Sequence, residues 1–193
     1  VYQGEELGMT NAHYNDISQY RDVESLNYYK ILLDQGKTKE QALKVLAARS
    51  RDNSRTPMQW SDDKNAGFTE GTPWIEAPEN YKEINAETEL KDPDSIYSFY
   101  KKLIALRKEK DIIAEGTIEF LEKENADVLA YRRNYQGEEL IVLNNLTAEN
   151  VTIRQQPEWK AYQKRLGNYE KITAEDGKIT LRPFETIVLD SAL

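Results

Sequence analysis

The hydrophobic pattern of this chain changes period near residue 113, and that change limits what it can fold into. Up to about residue 110 apolar positions recur at helical spacing between loops; beyond it they alternate. A 3.6-residue period lines one face of a helix, and a period of two lines one face of a sheet. The chain therefore reads as α+β, with a boundary near 109–116 that separates residues 1–112 from residues 113–193.

In the first part, a helix is expected over 22–35, with Val23, Leu26, Ile31 and Leu33 as apolar positions and Tyr28 and Tyr29 between them. Asp22 suits its N-cap and Gly36 its stop. Thr38 and Gln41 form a capping-box pair for a second helix, with an apolar face of Ala42, Leu43, Val45, Leu46 and Ala47. Residues 51–78 hold prolines and glycines without a helical period and read as a long loop, which Trp60, Phe68 and Trp74 are expected to order. The stretch Asp92-Pro93-Asp94-Ser95 opens a third helix to about Lys108, with Ile96, Phe99, Tyr100, Leu103, Ile104 and Leu106 at helical spacing.

In the second part, strands are expected at 117–122, 128–134, 140–145, 151–155 and 186–189, with weaker ones at 161–165 and 178–181. Asn125, Gln136-Gly137, Asn144-Asn145 and Asp176-Gly177 serve as turn signals. Short strands at such spacing suggest a small antiparallel β-sandwich, with Phe120, Tyr131 and Phe184 in its core.

Composition removes several function classes. The net charge of −8 argues against nucleic-acid or anionic-membrane partners, which would want a basic stripe. The absence of cysteine excludes disulfides and thiolate zinc sites. No apolar run reaches the ~20 residues of a membrane helix. The single histidine, His13, excludes any histidine dyad and reads as a loop residue. Asp62, Asp63 and Asn65 loosely suggest a calcium loop but lack its terminal glutamate, so no metal and no cofactor is expected. Asn145-Leu146-Thr147 and Asn150-Val151-Thr152 are glycosylation sequons by pattern alone.

Four motifs follow one another: Tyr2-Gln3-Gly4-Glu5-Glu6-Leu7-Gly8-Met9-Thr10-Asn11, then Arg51-Asp52-Asn53-Ser54-Arg55-Thr56-Pro57-Met58-Gln59-Trp60, then Asn65-Ala66-Gly67-Phe68, then Tyr81-Lys82-Glu83-Ile84-Asn85. Together they resemble the oligo-1,6-glucosidase and dextran-glucosidase group of the α-amylase family of glycoside hydrolases; trehalose-6-phosphate hydrolases and sucrose isomerases are close relatives. The resemblance is strong over 1–110 and weaker in the tail, where Pro183-Phe184-Glu185 is familiar. It implies a (β/α)8 barrel followed by a small all-β domain. Val1–Gly4 would be the end of the last barrel strand, 1–112 the C-terminal remnant of the catalytic barrel, and 113–193 the β domain. The chain is thus expected to be a fragment, consistent with its start without Met or signal peptide.

Such enzymes need two carboxyl groups flanking the glycosidic bond, about 5 Å apart in a retaining enzyme. The resemblance places the catalytic carboxylates upstream, so no catalytic residue is assigned here. Glu5 and Glu6 are adjacent and cannot flank one bond; they read as barrel-rim charges. Arg51 is similar to an arginine that reaches the non-reducing glucose, and a planar fork of donors suits sugar hydroxyls. Its structural alternative is pairing with Asp52 or with a neighbouring loop. Glu24, in Asp22-Val23-Glu24-Ser25-Leu26-Asn27, is similar to a glutamate contacting the leaving-group sugar; otherwise it is a first-turn glutamate stabilised by the dipole. Arg55 is a third substrate-binding candidate, with locking of the loop as its alternative.

The expected function of the intact parent is retaining exo-α-glucosidase action on terminal α-1,6 bonds of short isomalto-oligosaccharides, in the cytoplasm, with oligosaccharide substrate as partner. Trehalose-6-phosphate hydrolase is the alternative within the class. A non-catalytic module is the alternative outside it, either structural or binding glycans through Trp159, Tyr162 and Tyr169. The 193-residue chain alone is expected to be inactive, and its uncovered helix faces to pack on the β domain or to self-associate.

Overall fold

The computed structural model describes residues 1–191, which divide into two compact units, residues 1–100 and residues 101–191.

The first unit is built on a helical hairpin. Helix α1, Val23–Asp34, begins where the Asp22 side chain accepts from Ser25 N. It ends at Gly36, whose φ of 85° supplies the left-handed turn that residues with a Cβ avoid. Helix α2, Lys39–Arg49, opens with the capping box of Thr38 and Gln41. Tyr29 and Leu32 of α1 meet Ala42 and Leu46 of α2 in a core shared with Ala12, Tyr14, Tyr20 and Ile75. The buried face of α1 is Ser25, Tyr29 and Leu32, whereas Val23 and Ile31, expected on it, are exposed.

The long loop is ordered, but its large aromatics do not order it. Trp60, Phe68 and Trp74 are all exposed, while Gln59 is fully buried. Its Nε2 donates to the carbonyl of Ile84, and its main-chain carbonyl accepts from Ala86 N. A short helix α3, Ala86–Lys91, capped by Asn85, precedes α4, Ile96–Glu109; the sequence pattern had no place for α3. Helix α4 starts after Ser95, whose Oγ accepts from Ser98 N, three residues later than Pro93 suggested. Val1–Gly4, expected as strand, pairs with no strand; Val1 and Tyr2 are exposed.

After α5, Ile112–Glu115, the second unit is a two-sheet sandwich. Its strands are β1 Thr117–Leu121, β2 Val128–Tyr135, β3 Glu138–Asn145, β4 Val151–Arg154, β5 Gln163–Gly167, β6 Thr173–Glu175, β7 Lys178–Leu181 and β8 Thr186–Asp190. The larger sheet runs β1-β2-β3-β8-β5 and the smaller β4-β7-β6, all antiparallel. Register aligns Ala130 with Leu143 and Leu143 with Ile187, so these side chains share the inner face. Ile153, Ile179 and Leu181 face them from the smaller sheet, and Trp159 closes the core.

The alternation is right and its phase is not where Phe120 and Tyr131 placed it. Leu121 and Ala130 are paired and turn inward; Phe120 and Tyr131, one residue over, pair on the outer face. Phe120 is exposed, and so is Phe184, which sits in a turn with φ 53°. Asn144-Asn145 is not a turn but the end of β3. Asn145 is buried, with Nδ2 donating to the carbonyls of Glu149 and Arg182, which leaves no free amide for a glycan.

Candidate functional site

Arg51 and Glu24 lie 27 positions apart and meet as an ion pair. The hairpin brings them together. Glu24 occupies the first turn of α1, and α2 returns antiparallel to deliver Ser50 and Arg51 beside it. Ser50 then does two jobs: its backbone N–H donates to Leu46 O at the end of α2, and its Oγ accepts from Asp52 N to start the 3-10 turn Arg51–Ser54. Both charged side chains are mostly exposed and border an open cleft of about 630 Å³. Tyr28 and Arg49 line it as well, over a floor of Ser25, Leu46 and Ser50. A paired guanidinium and carboxylate of this kind present both donors and acceptors, which is what a sugar's hydroxyls require.

Arg55 is placed differently. Its Nη1 lies 3.8 Å from Asp22 Oδ1 and 3.7 Å from Asp52 Oδ1. Asp52 is the charge it guards: the carboxylate is fully buried, and its Oδ2 accepts from Arg21 N at 2.7 Å and Asp22 N at 3.0 Å. Burial works to raise the pKa of Asp22. Hydrogen bonds from Ser25, with the charges of Arg51 and Arg55, outweigh it and hold the carboxyl below its usual range. Sequence reading offered Asp52 as a partner for Arg51; the structure gives Arg51 to Glu24 and Asp52 to backbone amides and Arg55. The buried set Asp22, Ser25, Ser50 and Asp52 was missed as a group. Its one legible signal was Asp22 as a helix cap.

The opening motif is tied to the 3-10 turn that follows Ser50. Gly4, at φ 86°, lets the chain turn with Met9 so close that an added Cβ would stand 2.4 Å from its sulfur. Glu5 accepts from Tyr2 N, and Tyr2 Oη donates to Ser54 O, tying this segment to the 3-10 turn. The hydrogen bond to Glu5, followed by burial, pushes the Tyr100 phenol up to about 12.

Among the described residues no three His, Cys, Asp or Glu side chains gather as a metal site. Asn65, of the calcium-like stretch, directs Nδ2 as a donor to the carbonyls of Thr69 and Gly71. In the second unit the three candidate platform aromatics are committed elsewhere. Trp159 is buried, Tyr162 Oη donates to Glu139 at 2.7 Å, and the Tyr169 ring lies 4.0 Å beneath the Arg182 guanidinium.

Comparison with known proteins adds to this geometry. Residues 1–116 match the family model of the α-amylase catalytic domain. The chain belongs to the α-amylase family. Residues 128–188 of this α-amylase-family chain match the α-amylase SusG C-terminal domain. Over 97% of its length it is 48% identical to a trehalose-6-phosphate hydrolase of Bacillus subtilis and 43% identical to an oligo-1,6-glucosidase of Bacillus cereus. It spans only 34% of either relative. The crystal structure of Bacillus licheniformis trehalose-6-phosphate hydrolase superposes on 98% of the chain with a TM-score of 0.92 at 46% identity, the chain covering 35% of that protein. The (β/α)8-barrel remnant and β domain expected from the motifs are thus in place as the α-amylase catalytic-domain segment and the sandwich that follows it.

Proposed function

We propose that this chain forms part of a retaining exo-acting α-glucosidase that releases terminal glucose from short α-glucosides, with Arg51, Glu24 and, less directly, Arg55 serving its sugar site. The observation that carries the reading is the Arg51–Glu24 pair at the edge of an open cleft, delivered by a helical hairpin and a motif loop. In this role Arg51 grips the glucose being released, and Glu24 accepts from hydroxyls of the leaving-group sugar. Arg55 acts behind them, on Asp22 and Asp52. The carboxyl groups that break the bond belong to other parts of the enzyme.

Two substrates fit, each on its own observation. Asp22 and Glu24 balance Arg49 and Arg51 around the cleft, so this segment offers no surplus cation, which suits the neutral α-1,6-linked sugars of isomalto-oligosaccharides. Trehalose 6-phosphate is favoured by the relatives of that name, at 48% and 45% identity. Turnover of isomaltose against trehalose 6-phosphate by the full-length enzyme separates the two. In either case Arg51→Ala should lower kcat/KM about tenfold or more, as loss of a charged hydrogen bond does. Glu24→Gln should weaken a disaccharide more than an aryl α-glucoside, whose leaving group offers no hydroxyls of a sugar. Unchanged kcat/KM in Arg51→Ala would remove the assignment.

A further inference from the structure

We infer that Asp52 is a positioning residue that sets the Arg51–Glu24 pair, and with it the fit of the leaving-group sugar. The inference rests on the reading of that pair as part of the sugar site. Asp52 follows Arg51 in sequence, yet its side chain points away from the cleft and is fully buried. Its Oδ2 accepts from the backbone amides of Arg21 and Asp22, the two residues that lead into α1. Glu24 lies in the first turn of that helix. One carboxylate oxygen therefore fixes the entry of the helix carrying Glu24, while the main chain of the same residue directly follows Arg51 in the 3-10 turn Arg51–Ser54.

A second set of bonds closes the loop. The Ser25 hydroxyl bridges Asp22 Oδ2 at 2.8 Å and Ser50 Oγ at 2.9 Å, and Ser50 Oγ accepts from Asp52 N at 3.2 Å. Neither Ser25 nor Ser50 is open to solvent. Each end of the ion pair is thus anchored in the same buried polar network, although Arg51 and Glu24 themselves are mostly exposed. An exposed ion pair between long side chains holds its own geometry poorly, because both lose rotamer freedom for little energy in water. The anchor beneath it is what defines its position. The remaining oxygen, Oδ1, makes no hydrogen bond and faces Arg55 Nη1 at 3.7 Å, which keeps the buried charge compensated.

The chemistry separates two functions of the carboxylate. As an acceptor for two amides it can be replaced by the carbonyl of an asparagine. As an anion opposite Arg55 it cannot. Asp52→Asn should therefore retain the anchor, and Asp52→Ala should lose it. A displacement of about 1 Å is enough to lower activity about a hundredfold.

The test is a double-mutant cycle in the full-length enzyme, read as kcat/KM on its disaccharide substrate and on an aryl α-glucoside. Asp52→Ala should lower the disaccharide value about a hundredfold and the aryl value distinctly less, with Asp52→Asn recovering most of the loss. In a Glu24→Gln background the same Asp52→Ala change should have a much smaller effect, because neighbours acting through one network are not additive. Ser50→Ala, a milder break in the network, should show the same substrate bias and keeps the test open if Asp52→Ala fails to fold. Equal losses on both substrates, or strict additivity with Glu24→Gln, would overturn the inference and leave Asp52 a structural residue. If Arg51→Ala and Glu24→Gln themselves leave both substrates unaffected, the sugar-site reading fails first, and that result is distinct from additivity.

Discussion

Removing the Asn145 side chain should unfasten one end of the β unit. Asn145 is buried at the end of β3, and its backbone N–H is already bonded to Glu185 O. Its side chain works in four directions. Nδ2 donates to Glu149 O at 2.6 Å and Arg182 O at 2.8 Å; Oδ1 accepts from Thr147 N and Thr147 Oγ1, each at 2.9 Å. At about 1 kcal/mol net for each bond, with water able to reach some of the freed groups, Asn145→Ala should cost about 3 kcal/mol. For a unit of this size that lowers Tm by roughly 12–24 °C. The transition can be followed by fluorescence, since buried Trp159 emits to the blue of exposed Trp60 and Trp74. Thr147→Val removes the hydroxyl's bond to Asn145 Oδ1 and its longer contacts with the Glu149 backbone, and should cost about 1 kcal/mol. An Asn145→Ala loss under about 1 kcal/mol would refute the reasoning, by showing that the loop at 146–149 satisfies these groups without the amide.

Three further outcomes are expected. The 193-residue chain should show no turnover of a chromogenic α-glucoside, and light scattering should detect association through exposed Val23, Ile31, Leu103 and Ile104; measurable turnover or a strictly monomeric species would contradict one part each. Asp22 has a lowered pKa in the folded state, so its contribution is complete above the ordinary value of 3.8 and fades as pH falls through the folded value. Urea titrations across that acidic window should therefore show a shallower decline for Asp22→Asn than for the parent. Gly4→Ala should destabilise the first unit by about 1 kcal/mol or more, combining a positive φ with a clash on Met9; an unchanged urea midpoint would argue against that turn.

What was legible in the sequence was mainly local. Asp22, Gly36, Thr38 and Gln41 act within four residues of their own backbone, so their chemistry could be read without knowing the fold. Seven of the eight strands were legible for the same reason; β6, three exposed residues without an apolar alternation, was not. The face each strand turns inward was not: Leu121 and Phe120 are equally apolar neighbours, and only the packing of the second sheet decides between them. The Asn144-Asn145 pair looks like a turn because asparagine favours turns; the carbonyls of nearby Glu149 and of distant Leu181 and Arg182, all bonded to the Asn145 amide, overrode that preference. At the sugar site, Arg51 and Glu24 were legible through their motifs alone. The network beneath them was not, because serine and aspartate gain their meaning there from partners some thirty residues away.

The position of β3 also determines how the second unit comes apart. It is hydrogen-bonded along nearly its whole length to β2 on one side and β8 on the other, with Leu140, Ile141 and Leu143 buried. The strand β6, by contrast, has three exposed residues and a single neighbour, β7. Amide protons of β3 should then exchange only when the whole unit opens, while those of β6 exchange through small local excursions. The second unit thus carries its own order of opening: edge strands such as 173–175 open early and meet a protease there, and the central strand is the last to release its protons.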